Sequence, residues 1–349
     1  MKPSLYNISW KVTEPVYRQD PALSYSTLAK YEREGFNKLS SLFDRIDTPS
    51  LTFGSAVDAL ITGGQEEFDN NFLVAEFPPI TNSVREMTVL LFNDFSGVYT
   101  SITDIPNSEI IARTETMKYQ LNWKPDTRAK VIKEQGFEYY RLMYIAKDKT
   151  IIDTDTNEKI LAAVRQLKES EATKEYFAAN DPFNPNDMER FYQLKFKATL
   201  EGVDVRCMAD LIMVDHKNKI VYPCDLKTSS HAEWDFAESF VQWRYDIQAR
   251  LYWRIIRDNM NRDPEFKDYE LADYQFIVVN KETLVPLVWK FEDTTKFGEL
   301  TYGTNKQIVL RDPYDIAKEL RHYLDFTPVV PDGITMTGTN SLLRKLSQL

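Results

Sequence analysis

The sequence predicts an α/β fold, a mixed central sheet flanked by helices. Three observations carry that prediction. Between residues 191 and 230, three strand-like runs follow one another with short turns between them; a long amphipathic stretch comes next; and an apolar run, YQFIVVN at 274–280, then fits a buried strand. The order helix, three strands, helix, strand assembles naturally into one sheet with helices packed on it. The 349 residues suffice for one large domain or for a core with an insertion. An aromatic content of 13% argues against extensive disorder.

In chain order, SYSTLAKYEREG (24–35) reads as a helix with Ser24 or Ser26 near its N-cap and Gly35 at its end. LTFGSAVDALIT (51–62) is a second helical pattern, stopped by Gly63 and Gly64. Residues 82–104 and 125–146 are amphipathic and are assigned to a helical insertion over 81–149. After Asp153, NEKILAAVRQLKESEATKEYF places Ile160, Val164 and Leu167 on one helical face. DPFNPND (181–187) breaks that pattern.

FYQLKFKATL (191–200), a turn at Glu201-Gly202, VDVRCMADLIMVD (203–215), a turn at 216–219 and KIVYPCDLKTSS (219–230) have the spacing of an antiparallel meander. A helix from about Trp234 to Asn259, strands at 274–280 and 284–291, and a helix near 313–324 follow. The whole, 1–349, reads as a single domain with a core at 22–80 and 150–295. A C-terminal tail, 325–349, ends in LLRKLSQL, a candidate docking or oligomer contact.

Composition narrows the function. No run approaches the ~18 apolar residues of a membrane span, and the N-terminus lacks a signal-peptide pattern. Two cysteines, Cys207 and Cys224, cannot make a four-thiolate zinc or iron–sulfur site and suggest a reducing, cytoplasmic setting. His216, His231 and His322 share no metal-ligand spacing. No phosphate-binding G-x(4)-G-K-[ST] loop occurs, so ATP is not expected. The formal net charge of −10 opposes binding a polyanion over the whole surface, but says nothing of a local groove.

The chemistry concentrates on two strands. Asp210 lies inside the apolar run MADLIMV, where a lone carboxylate is costly to bury. Asp225 and Lys227, in CDLKT on the next strand, are two apart and so share a face. If these strands are hairpin neighbours, Asp210 and Asp225 come together, and two such carboxylates favour a bound cation. Mg²⁺ suits their hard oxygens, with Mn²⁺ able to substitute. Lys227 would then orient a water or stabilise negative charge on a phosphate; the plainer alternative is a surface ion pair of Asp225 with Lys227. In WRYDIQARLYW, Tyr245, Gln248 and Tyr252 share one helix face, where Gln248 could contact a water or a phosphate. Lys195, Lys197, Arg206, Arg244 and Arg250 surround these residues and could contact phosphates.

The ordered set EGVDVRCMADLIMVD, CDLKTSS and YDIQARLYW resembles the nuclease core of RecE-type exonucleases and their RecB-like relatives, within the PD-(D/E)XK superfamily. SYSTLAKYE, LTFGSAVDALI and EEFDNNFLVAEF resemble that family's opening helix, its G-[ST]-A-x-H helix and the E-x-F segment after it. The likeness covers roughly 22–80 and 150–280. It implies a restriction-endonuclease-like core and a Mg²⁺-dependent exonuclease that degrades linear double-stranded DNA ends for recombination or repair, often in phages. Catalytic roles fall on Asp210, Asp225, Lys227 and Gln248. Metal ligation falls on Asp210 and Asp225, with Asp58 standing where the family usually has histidine. DNA contacts fall on Tyr245, Tyr252, Arg244, Arg206 and Ser26. A homo-oligomer and a single-strand annealing partner are further implications, with no membrane, iron–sulfur cluster or ATP. A structure-selective endonuclease on the same core, or an inactive DNA-binding scaffold, are the alternatives.

Overall fold

The computed structural model describes residues 3–43, 48–181, 183, 188–292, 299–302 and 306–325. Its first elements are helices Glu14–Gln19 (α1), Tyr25–Glu34 (α2), Pro49–Thr62 (α3) and Gly64–Asn71 (α4), then strand Phe72–Val74 (β1). Helices Asn82–Phe95 (α5), Asn107–Thr116 (α6) and Pro125–Ala146 (α7), strand Thr150–Ile152 (β2) and helix Thr154–Glu169 (α8) come next. Strands Met188–Leu200 (β3), Val203–Asp215 (β4) and Ile220–Ser229 (β5) lead to helices Phe236–Gln242 (α9) and Tyr245–Arg262 (α10). Strands Glu270–Leu271 (β6), Tyr274–Asn280 (β7), Pro286–Phe291 (β8), Glu299–Tyr302 (β9) and Lys306–Val309 (β10) precede helix Pro313–Asp325 (α11). Residues 326–349 of the expected tail lie outside the described residues.

The chain divides into two compact units, one formed by 1–62 with 162–349, the other by 63–161. The expected insertion at 81–149 falls within the second. That unit has its own core, in which α5, α6 and α7 enclose Val84, Met87, Leu91, Ile110, Ile132 and Tyr140. Its two short strands pair in parallel, Phe72↔Thr150 to Val74↔Ile152. The helix expected over 82–104 ends at Phe95, where a turn and a short 3₁₀ segment take over.

The first unit holds a mixed sheet in the order β3-β4-β5-β7-β8, with β6 also on β5. The expected meander is present: β3, β4 and β5 pair antiparallel in sequence order. Glu201 and Gly202 both have positive φ (+49° and +85°), the twist-matched two-residue turn that joins long antiparallel strands. All seven residues of β7 are buried, as its unbroken apolar sequence requires of a strand covered on both faces. Phe196, Val205, Ile212 and Phe276 from the sheet share one core with Leu251 and Ile255 of α10 and Leu28 of α2.

The helix expected over 234–259 is broken. Arg244 adopts a left-handed conformation (φ +56°, ψ +47°), so α9 ends at Gln242 and α10 starts afresh at Tyr245. No glycine or proline marks the break; buried ion pairs hold Arg244 there instead. Among the described residues, no helix is long and apolar enough to cross a membrane.

Candidate active site

The site forms where β5 changes partners. The β4–β5 ladder runs from Asp215↔Ile220 to Leu211↔Cys224 and then stops. From Cys224 onward β5 pairs in parallel with β7, Cys224↔Gln275 through Ser229↔Asn280. One step beyond the last β4–β5 pair stand Asp210 and Asp225. The carboxylate of Asp210 accepts the Leu226 N–H through Oδ2 at 3.0 Å, so a side chain takes over from the ladder as the strands part.

Asp225 is buried, only 1% exposed. It accepts hydrogen bonds from the Lys227 ammonium and from Gln248 Nε2, the latter at 2.5 Å. The i, i+2 spacing on β5 gives the first contact, and α10, packed against β3, β4 and β7, delivers the second. Lys227 Nζ also lies 5.0 Å from the centroid of the Tyr245 ring, which stacks with Phe236 and Phe276.

Burial, followed by the charges of Asp225 and Asp58, pushes the Asp210 carboxyl well above the ordinary carboxylate range. For Lys227, burial works to lower the pKa, but Asp225, Tyr245 and Asp210 outweigh it and hold the ammonium above its usual value. Lys227 is therefore a fixed cation at neutral pH, suited to stabilising negative charge and unsuited to taking a proton.

Asp58 comes from α3. That helix approaches β5 through Gly54, where an added Cβ would lie 3.0 Å from Thr228 Oγ1. Asp58, one turn on and on the same face, accepts from Gln193 Nε2 through both carboxylate oxygens, at 3.2 and 3.0 Å. Gln193, on β3, escaped sequence reasoning; its φ of +52° is rare outside glycine, asparagine and aspartate, and it costs about 1 kcal/mol or more of backbone strain. Gly54→Ala is expected to overpack this contact by about 1–3 kcal/mol, offset in part by the roughly 0.5–1 kcal/mol that alanine gains in a helix interior, and to lower the thermal midpoint by up to about 3 °C. A raised midpoint would show that Thr228 rotates aside freely.

The donor atoms open to a divalent cation are all oxygens. Asp210, Asp225 and Asp58 offer oxygen only, the choice of a hard ion, and the like charges that raise Asp210 are what such an ion would offset. Gln248 Oε1 is a buried acceptor with no partner among the described residues. Among the described residues, however, no three His, Cys, Asp or Glu side chains form a ready ligand set. Each acid instead faces a protein donor, so binding requires Asp225 and Asp58 to share their oxygens between those donors and the ion.

Three of the residues expected to touch DNA are turned inward. Arg244 is 5% exposed and gives Nε and Nη2 to Asp246 (3.0 and 3.1 Å) and Nη1 to Glu32 (2.9 Å). Arg206 is buried over the Tyr17 ring at 4.7 Å. Tyr252 is buried edge-on between Tyr25 and Tyr274. The contacts that bury them come from distant parts of the chain, which local pattern does not reveal. Tyr245 is half-buried beside Lys227, and Ser26 is exposed, with its hydroxyl 3.0 Å from Ser24. Arg250 is buried, and Lys197 is committed to Asp20 at 2.8 Å.

A cleft of about 200 Å³ adjoins the cluster, with Ser50, Thr228, Ser230, His231, Trp243 and Tyr245 in its wall and no carboxylate in its lining. Trp243 is 44% exposed, with the Arg33 guanidinium 5.2 Å from its ring centroid.

Among solved structures, the chain is similar to the crystal structure of a "putative exonuclease" from Eubacterium rectale, at 13% identity and a TM-score of 0.36, covering 93% of this chain and 83% of that one. No family model and no curated protein matches the chain.

Proposed function

We propose that this protein is a metal-dependent deoxyribonuclease of the PD-(D/E)XK type, acting as an exonuclease on linear double-stranded DNA ends in recombination or repair. The observation that carries the reading is the clasp of Asp225 by Lys227 and Gln248 directly beside Asp210, at the point where β4 and β5 part. A divalent cation, Mg²⁺ or Mn²⁺, would be held by Asp210 and Asp225 with Asp58 as a third oxygen donor. When bound, it supplies Lewis acidity and a water acidic enough to attack near neutral pH.

The chain's own groups do the rest. The Lys227 ammonium stabilises negative charge as it grows on the phosphate oxygens. Gln248 Oε1, buried and unpartnered among the described residues, accepts a hydrogen of the attacking water and fixes its direction. The adjoining cleft, free of carboxylates, gives a phosphodiester backbone a local path despite the net charge of −10, and Trp243 offers a face for base stacking. Homo-oligomerisation around DNA and handover of the product strand to an annealing protein belong to the same proposal.

The test is end-labelled linear duplex against covalently closed circular DNA, with Mg²⁺, for wild type, Asp210→Ala and Lys227→Ala. Linear DNA should be degraded from its ends. Lys227→Ala should be about 10²–10³-fold slower, the usual loss for a charge-stabilising donor, and Asp210→Ala and EDTA should abolish cleavage. Cutting of closed circles would redirect the reading to an endonuclease, and activity surviving in Asp210→Ala would place the chemistry elsewhere.

A further inference from the structure

Helix α7 buries one side and leaves the other open. Ala129, Ile132, Gly136 and Tyr140 are buried, and α5 and α6 pack against the helix. The opposite side carries a second apolar stripe. Phe137, Tyr144 and Ile145 there are 38%, 42% and 57% exposed. With Arg141 they occupy positions i, i+4, i+7 and i+8, the spacing of a helix face that packs on a partner. Single exposed apolar side chains are ordinary. Three aligned on one face, away from the core, mark an interaction surface.

The charges along the stripe identify the occupant. Glu134 and Glu138 precede Arg141, and all three are exposed. Within the helix Arg141 and Glu138 approach only to 3.7 Å, an exposed pair that contributes little in water. A stripe with acid before base is complementary to its own reverse. Laid antiparallel on a second α7, about a two-fold axis midway between 138 and 141, each Glu138 meets Arg141 of the second copy, and the ion pair forms twice. The same register sets Phe137 beside Tyr144 and Ile145 of the second copy, so apolar contact flanks both ion pairs. In-register parallel pairing would instead set Glu138 against Glu138 and Arg141 against Arg141. Aromatic residues and arginine are the types that interfaces favour, and self-matching two-fold surfaces are the commonest route to oligomers.

We propose that the outer face of α7 is a homodimer surface, on which a second copy of this chain docks its own α7 antiparallel. One helix face covers less than the roughly 800 Å² per partner of a standard interface, so the dimer forms and dissociates with concentration. The surface lies within the helical unit and uses none of the catalytic groups, so it goes beyond the nuclease reading and does not depend on it.

Sedimentation velocity of the full chain over a concentration series, in EDTA and without DNA, tests it on wild type, Phe137→Ser, Glu138→Arg, Arg141→Glu and the double charge swap. Wild type should pass from monomer to dimer as concentration rises. Phe137→Ser and each single reversal should weaken dimerisation at least about tenfold. The double swap should restore it, because both ion pairs re-form with their signs exchanged; damage to the helix itself would not be repaired in this way. A wild-type chain that stays monomeric up to about 0.1 mM leaves the face to a different protein and overturns the proposal. So does a dimer that neither reversal weakens, or one that the double swap fails to restore. With metal and DNA both absent, each of these outcomes leaves the nuclease reading standing.

Discussion

Asp225→Ala should remove activity and stability together, whereas Asp210→Asn should remove activity and raise stability. The two acids are neighbours, but they sit in opposite electrostatic conditions. Asp225 is paired with the Lys227 ammonium and the Gln248 amide in a setting almost closed to water. Removing it leaves a cation and an amide without their acceptor. Breaking a buried pair from one side typically costs 3–5 kcal/mol; because the Lys227 side chain keeps 17% exposure, about 3 kcal/mol is the expected loss. For a chain of this size that is a midpoint lower by roughly 4 °C.

Asp210 carries the reverse sign. Its carboxyl is raised by burial and by Asp225 and Asp58, so the native state binds a proton more tightly than the unfolded chain does. Its contribution to stability is complete below the ordinary carboxylate range and is lost as pH rises through the raised native value. Asparagine cannot ionise and escapes this loss. In EDTA, Asp210→Asn should therefore melt close to wild type near pH 4 and above it at pH 8, by about 1–2 °C for each kcal/mol of repulsion relieved. A variant less stable than wild type at pH 8 would contradict the assignment of Asp210 as the strained acid.

Arg244→Ala should be among the most destabilising single changes outside the site. Arg244 is bound through three nitrogens to Asp246 and Glu32, and Glu32 in turn accepts Arg311 Nη1 at 2.6 Å. Asp246 is 1% exposed and the Glu32 side chain 9%, so truncating the arginine strands the buried Asp246 carboxylate and leaves Glu32 with Arg311 alone. A loss of about 3–5 kcal/mol is expected, read from urea unfolding as a lower midpoint at constant slope. Lysine should rescue only part of it, since it lacks the planar fork. Activity should fall as well, because Arg244 fixes the start of the helix that carries Tyr245 and Gln248. A cost below about 1 kcal/mol would mean that the network contributes little.

Much of this architecture was legible in the sequence because its signals are local. The alternation of 191–200, the Glu201-Gly202 turn and the apolar run of β7 each specify their structure within a few residues. Asp225, Lys227 and Gln248 were legible for the same reason: one strand spacing and one helix face bring them to a common place. What stayed hidden depends on contacts across the chain. The break at Arg244 relies on Glu32, more than two hundred residues earlier, and without that partner the amphipathic pattern runs on unbroken. Arg206 and Tyr252 look like surface groups until Tyr17, Tyr25 and Tyr274 fold over them. Gln193 gave no signal, since neither its residue type nor its neighbours announce a left-handed strand residue. The three-residue strands of the helical unit are too short for periodicity to register.

The N–H of Leu226 has a structural stake in what occupies position 210. Because a carboxylate oxygen there stands in for a lost backbone carbonyl, the acid is also a strut of the sheet. An alanine would leave that part-buried amide without its acceptor, while asparagine still presents an oxygen to it. Inactive versions of the protein made for trapping substrate should therefore carry the amide rather than the methyl, or the scaffold will shift along with the chemistry.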